Sequence, residues 1–267
     1  MEMGAVDMNR LSNALLPEWM KKSYVGLILI FLYMPIIVLI GLSFNDSKYY
    51  VSFGGWTLKW YRRLFTDEII RDAIATTLFI AVVSAACATV IGTCGVIGIE
   101  RMRSKKVILA VSNIPLLNAD IVTGVSMMLV FTRFLRLGTL SVLLAHITFE
   151  IPYVMLNVIP AFSRMDRDIY NAALDLGASR VQTFFRVIMP QLWPGILSGF
   201  LMAMTMSIDD FSITYFTRGA GVNTLSTMIY TQLKRGVNPS MYSLCTIMFL
   251  AVFVLLAITN LRNSREI

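Results

Sequence analysis

Four carboxylates stand in stretches of sequence that otherwise exclude charge: Asp120, Glu150, Asp209 and Asp210. An ionised Asp at the middle of a bilayer costs about 2.5–3.5 kcal/mol on insertion scales. Such a group faces a water-filled cavity or a partner helix. Few basic residues share these stretches, so the acids leave spare negative charge, and spare negative charge along a passage suits a cationic substrate. The plainer alternative for each acid is a hydrogen bond between packed helices. Asp209 and Asp210 are neighbours, and neighbours on a helix point about 100° apart, so the two are not expected to face one passage together. His146 reads first as a helix-packing hydrogen bonder.

Enzyme chemistry finds little to work with. There is one histidine and no HExxH pattern. The cysteines Cys87, Cys94 and Cys245 all lie in apolar stretches without metal-ligand spacing. Adjacent aspartates lack the geometry of a shared-proton dyad, which needs carboxylates that face each other. No GxxxxGK[ST] occurs, so the chain is not expected to hold ATP. No catalytic residue, metal site or resident cofactor is expected.

The elements that must carry these acids are long apolar blocks. Of 267 residues, 57% are hydrophobic and 15% charged. A soluble domain carries about 25% charged residues. The blocks run from about Tyr24 to Phe44, Ala73 to Ile99, Val107 to Phe131, Gly138 to Phe162, Gly195 to Phe216 and Met241 to Leu261. Each has the roughly 20 residues that cross about 30 Å of hydrocarbon, so six transmembrane helices in one membrane domain, residues 1–267, are expected. The third block is interrupted by Pro115, Asn118 and Asp120. The first reads as an uncleaved span, because Met1–Lys22 lacks a signal-peptide pattern.

The net charge of +7 belongs to the connections. Arg101, Arg103, Lys105 and Lys106 form the densest cluster, with Arg164, Arg167, Arg180, Arg186, Arg262, Arg265, Lys21 and Lys22 on the same side if the spans alternate. The positive-inside rule makes that side cytoplasmic, with both termini inside. The opposite side keeps Lys59, Arg62, Arg63, Arg71, Lys234 and Arg235, so the bias is modest. No nucleic-acid module is visible. The loop after the first block carries Phe53, Trp56, Trp60 and Tyr61, aromatics of the kind that anchor in lipid headgroups.

One connection is patterned as helix. In Ser163–Pro190, Met165, Ile169, Ala172 and Leu176 share one helical face. Gly177 then supplies a stop. Ser179 with Gln182 makes a capping box for a second helix. That helix is expected to put Val181, Phe184, Phe185 and Ile188 on one face and to end at Pro190. Two amphipathic helices joined by a glycine turn suit either the membrane surface or a cytosolic partner.

Within that loop, Asn171-Ala172-Ala173, then Gly177, then Val187-Ile188-Met189-Pro190 resembles the EAA motif of ABC importer permeases. That motif reads Glu-Ala-Ala, three residues, Gly, nine residues, Ile-x-Leu-Pro, and the spacing matches throughout. The resemblance implies an all-α integral membrane protein of the ABC type I importer permease (MetI-like) fold, with cytoplasmic coupling helices that dock on an ATPase. On this reading Asn171, Ala172, Ala173, Asp175, Gly177, Ala178 and Pro190 belong to the coupling element. Asn171 stands where the motif has Glu, and Asp168 or Asp175 would have to supply the missing charge.

The likeness extends over nearly the whole chain to spermidine/putrescine permeases of the PotC type. It rests on Phe53–Phe65 (FGGWTLKWYRRLF), Asp120-Ile121-Val122, His146–Pro152 (HITFEIP), Ala172–Ser179 (AALDLGAS), Ser207–Asp210 (SIDD) and the run from Asn223 through Ile229-Tyr230 to Gly236 and Pro239. Polyamines carry several ammonium groups on an apolar chain. Asp120, Glu150, Asp209 and Asp210 with Phe211 and Tyr215 are therefore the candidates for the substrate pathway, the rings acting by cation–π contact. Trp56 and Tyr230 are expected near an external binding protein, with headgroup anchoring the plainer reading for Trp56. The resemblance further implies a second homologous permease, two ATPase subunits that bind ATP and Mg, an extracytoplasmic polyamine-binding protein and the bacterial inner membrane. The alternative within the same superfamily is a permease for iron, thiamine, sulfate or molybdate. An anion carrier would place base rather than acid in its spans.

Overall fold

A computed structural model describes residues 18–47, 52–99, 102, 105–235 and 239–263. Residues 1–17, Arg101, Arg103, Gly236 and Arg265 lie outside the described residues, as do the side chains of Lys105, Lys106, Arg167, Arg235 and Arg262. The described chain is built from α1 (Glu18–Ser43), α2 (Lys59–Thr66), α3 (Glu68–Ile99), α4 (Lys105–Ser112), α5 (Ile114–Leu117), α6 (Asp120–Phe134), α7 (Thr139–Ser163), α8 (Arg167–Asp175), α9 (Arg180–Thr183), α10 (Met189–Asp209), α11 (Ser212–Thr217), α12 (Leu225–Arg235) and α13 (Pro239–Asn263). A π-helical turn, Phe184–Ile188, joins α9 to α10. The helical bias has a simple cause: inside a bilayer each backbone N–H and C=O must find its partner within its own segment.

Among the described residues, five stretches are long and apolar enough to cross a membrane: Trp19–Ser43, Glu68–Ile99, Thr139–Ser163, Arg180–Asp209 and Pro239–Ile258. The third block corrects the expectation of a continuous span. Residues 107–131 are divided among α4, α5 and α6, each too short to cross alone. Pro115 sits in the first turn of α5, where a missing N–H costs nothing. Asn118 and Ala119 are then extended, at φ −81°, ψ 147° and φ −64°, ψ 132°.

Two further boundaries differ. The fifth block does not run to Phe216, because Asp210 turns extended at φ −63°, ψ 124° and ends α10 at Asp209. Nor does Pro190 end the second coupling helix. Helix runs unbroken from Arg180 to Asp209. The π-turn sends the Met189 N–H to the Phe184 carbonyl. This wider turn removes the demand for an N–H at Pro190 and gives its ring room. The expected apolar face is also split: Val181 and Phe185 are exposed while Ile188 is buried.

The chain divides into two compact units. The first, Met1–Arg63 with Asn238–Thr246, is organised around Asn45. The Asn45 side-chain oxygen accepts the Ser47 and Gly54 N–H groups, and its amide donates to the Ser52 carbonyl. Its backbone carbonyl accepts Trp60 Nε1–H at 2.7 Å. No residue in the apolar window of α1 is buried, as a lipid-facing or partner-facing helix requires.

The second unit, Leu64–Val237 with Ile247–Ile267, is built on α3, α7 and α10. Small residues let these helices approach closely. A Cβ at Gly195 would fall 2.6 Å from the Ala161 Cβ, and one at Gly199 would meet the Val154 backbone at 3.3 Å. Ala85, Ala88, Val154, Val158 and Ala203 fill the core around that crossing.

Candidate functional site

The four acids separate into two pairs. Asp120, in the first turn of α6, and Asp209, the last residue of α10, are exposed. Glu150 and Asp210 are drawn into the second unit, where Glu150 is fully buried and the Asp210 side chain is 7% exposed. The adjacent aspartates diverge because α10 ends between them. Glu150 is buried where α7 meets α3.

His146 joins the two buried acids. Its Nδ1 is 2.6 Å from Ser207 Oγ and 3.7 Å from Glu150 Oε1. Its Nε2 is 2.8 Å from Thr214 Oγ1 and 3.5 Å from Asp210 Oδ2. Ser84 Oγ–H of α3 donates to Glu150 Oε1 at 2.7 Å. The network thus ties α3, α7, α10 and α11 together. Glu150 Oε2 is buried without a hydrogen-bond partner. Sequence reasoning gave His146 its packing role but missed Ser84, Ser207 and Thr214. Lone hydroxyls in apolar blocks carry no spacing that marks them.

Asp210 also builds the break that follows it. Its carboxylate accepts the Ile213 and Thr214 N–H groups at 3.2 and 2.8 Å and the Thr214 hydroxyl at 2.7 Å. These donors are the unpaired N–H groups at the start of α11. The Asp210 backbone carbonyl accepts Ser226 Oγ–H at 2.6 Å, which holds the start of α12. Thr77 Oγ1 of α3 accepts the Leu225 N–H at 2.9 Å and pins the same end.

On this frame stand three rings. Phe211 and Tyr230 lie 4.4 Å apart between centroids, Phe211 and Tyr215 5.3 Å, Tyr215 and Tyr230 5.7 Å. Tyr230, assigned from sequence to a different surface from Phe211 and Tyr215, belongs to the same cluster. Two cations use its faces: Lys234 Nζ is 4.6 Å from the Tyr230 centroid and the Arg218 guanidinium 5.5 Å from that of Tyr215. A hydrogen bond to Tyr230 raises the Lys234 ammonium above its usual range, so the group over the ring is cationic at neutral pH. The ring faces can hold cations, as they hold Lys234 and Arg218, and the exposed carboxylate of Asp209 is near in sequence. Trp56 lies in the other unit, 77% exposed, with Phe53 and Phe44 at 5.6 and 6.1 Å.

The connection Ser163–Pro190 takes the expected form at its turn. Asp166 caps α8 by accepting the Asp168 N–H. Gly177 adopts φ +84°, which favours glycine. The Ala178 N–H reaches the Ala173 carbonyl and the Gly177 N–H that of Leu174, the paired bonds of a Schellman turn. Ser179 and Gln182 exchange both bonds of the capping box. Asn171, Ala172, Asp175 and Gly177 are exposed, Ala173 and Ala178 half-buried. Ile169, Leu176, Val181 and Phe185 stand exposed around them, Leu176 to 88%.

Comparison with known proteins agrees with this architecture. Residues 101–264 match the family model described as binding-protein-dependent transport system inner membrane component. The putrescine transport system permease protein PotI of Escherichia coli (strain K12) is 34% identical over 83% of this chain and 83% of its own. The spermidine/putrescine transport system permease protein PotC of Haemophilus influenzae is 32% identical over 93% of this chain and 98% of its own. Among solved structures, a bacterial ABC transporter involved in the import of the acidic polysaccharide alginate matches with TM-score 0.66 at 19% identity, over 97% of this chain and 99% of that one. The inward-facing MetNI methionine ABC transporter matches with TM-score 0.60 at 16% identity, over 72% of this chain and 94% of that one. At such identities the structures speak for the fold alone. This multi-pass chain belongs to the family of binding-protein-dependent transport system inner membrane components, a transport-system membrane subunit rather than an enzyme.

Proposed function

We propose that this chain is one permease subunit of an ATP-driven importer and forms half of the translocation pathway for polyamines, spermidine or putrescine. The observation that carries the substrate class is the ring cluster of Phe211, Tyr215 and Tyr230. One of its faces already holds the alkylammonium of Lys234. A polyamine presents the same group at several points along an apolar chain, and the exposed carboxylates of Asp209 and Asp120 would meet its other charges. The polyamine names of relatives that align over most of this chain support the same class. Glu150 and Asp210 act from behind the pathway wall.

The family supports a set of partners. A second homologous permease completes the pathway, two ATPase subunits bind ATP and Mg, and an extracytoplasmic binding protein delivers the polyamine. Trp56 faces that protein or the headgroups. The chain crosses the inner membrane six times, residues 105–134 forming a broken span, with both termini cytoplasmic. The turn at Gly177 then lies in the cytoplasm, and the exposed Leu176, Val181 and Phe185 seat on the ATPase together with Asn171, Ala172, Ala173, Asp175 and Ala178. The unbroken helix from Arg180 to Asp209 runs from that dock to the ring cluster, so a push at one end moves the other.

Uptake of radiolabelled spermidine and putrescine into proteoliposomes holding the complete transporter, with ATP on the cytoplasmic side, tests the reading. ATP-dependent accumulation that unlabelled polyamine suppresses is expected. Accumulation of iron, thiamine, sulfate or molybdate in its place would overturn the substrate class.

A further inference from the structure

His146 touches neither the rings nor the coupling element, yet hydrogen bonds lead from it to the ring cluster. We propose that His146 is a positioning residue for substrate recognition, fixing through Asp210 the break between α10 and α11 on which Phe211, Tyr215 and Tyr230 are mounted. This inference rests on the reading of those rings as the polyamine site.

Proton counting sets the direction of the central bond. A carboxylate accepts only, so the single hydroxyl proton of Thr214 goes to Asp210 Oδ2. Thr214 Oγ1 can then only accept from the imidazole, and His146 Nε2 carries hydrogen. The Nε2–H points at the Thr214 hydroxyl and the Asp210 carboxylate together. It holds both against α7, a helix locked into the core by Val154 and Val158. At the other edge of the ring, Nδ1 meets Ser207 of α10, so the imidazole spans the break and grips the helix on each side.

From Asp210 the constraint divides. Its carboxylate orders the first turn of α11, and Tyr215 directly follows the bound Thr214. Its carbonyl holds Ser226, and Tyr230 lies four residues further along α12, on the same helical face. Phe211 is the next residue in the chain. All three rings are therefore tied to one aspartate, and that aspartate is held against α7 by His146. A side chain at this position needs polar contacts at two opposite edges. Glutamine can supply a donor toward Thr214, whereas leucine supplies volume alone.

The test uses the complete transporter in nanodiscs without nucleotide or binding protein, and reads equilibrium binding of radiolabelled spermidine. His146→Leu and Thr214→Val are expected to weaken binding about tenfold, the loss of one or two buried hydrogen bonds. His146→Gln should recover to within about threefold of wild type. Assembled complex, measured by co-purification, should stay at wild-type amounts for His146→Gln and Thr214→Val. Tyr230→Ala is measured alongside. If Tyr230→Ala weakens binding but His146→Leu and Thr214→Val bind as wild type, the positioning role is wrong and the ring site stands. Equal weakening by the Leu and Gln variants, with Thr214→Val unaffected, assigns His146 to packing and overturns the proposal as well. If Tyr230→Ala binds as tightly as wild type, the ring site itself fails and the inference falls with it. Should His146→Leu not assemble, Thr214→Val carries the comparison, since it keeps shape and removes only the hydroxyl.

Discussion

Two neighbouring aspartates show how much one peptide unit decides. Asp209 closes α10 and is exposed, while the Asp210 side chain is largely buried and gives its carboxylate to Ile213, Thr214 and His146. Their substitutions should therefore fail differently. Asp209→Asn keeps size and loses charge on an exposed group. It should lower spermidine uptake on the order of tenfold, about the worth of one ammonium contact, with wild-type amounts of assembled complex. Asp210→Ala strips acceptors from buried N–H groups at about 1–3 kcal/mol each. It should lower the recovered complex as well as uptake. Co-purification yield set beside uptake per assembled complex separates the two. A shared phenotype would return both aspartates to one role.

At the scale of elements, the coupling connection and the α10–α11 break use opposite devices. The connection is closed by backbone geometry: Gly177 at φ +84° lets Ala178 and Gly177 satisfy the last carbonyls of α8. Left-handed backbone costs an L-residue roughly 1–2 kcal/mol, and a β-branched residue resists it further. Gly177→Val should accordingly leave the spans inserted while reorienting α8 against α9. The expected result is ATP hydrolysis that proceeds without matching polyamine uptake, read as moles of ATP per mole of spermidine. An unchanged ratio would remove the turn from the coupling path. The break, in contrast, is closed by side chains from four helices. It depends on partners distant in sequence, as in the bonds from Ser84 to Glu150 and from His146 to Thr214.

For the whole molecule, the number of crossings fixes which side each loop occupies. Trp56 and Leu176 are separated by α3, the broken stretch 105–134 and α7. If the broken stretch crosses, the two positions lie on opposite sides of the membrane, and if it does not, they share a side. With Cys87, Cys94 and Cys245 replaced, single cysteines at 56 and 176 should react with an impermeant maleimide from opposite faces of oriented vesicles, position 176 from the cytoplasmic one. Labelling of both from one face would reduce the crossings and displace the coupling dock. Both positions are exposed, Trp56 to 77% and Leu176 to 88%, so each label can reach its target.

Hydropathy sums along a local window, and for that reason the sequence alone determined that this chain lives in a bilayer, roughly where its apolar blocks lie, and which acids interrupt them. Turn chemistry is also local, so the Schellman stop at Gly177 and the capping box of Ser179 with Gln182 were legible from residue type and spacing. Only the tertiary structure decided that Pro190 would be absorbed by a π-turn and that Asp210 would break α10. It alone joined Tyr230 to Phe211 and Tyr215 and buried Glu150 beside His146. The π-turn and the Asp210 cap close on near neighbours, whereas the ring cluster and the burial of Glu150 depend on groups that arrive from other helices. No window along the chain contains such partners, among them Ser84 for Glu150 and Tyr230 for Phe211.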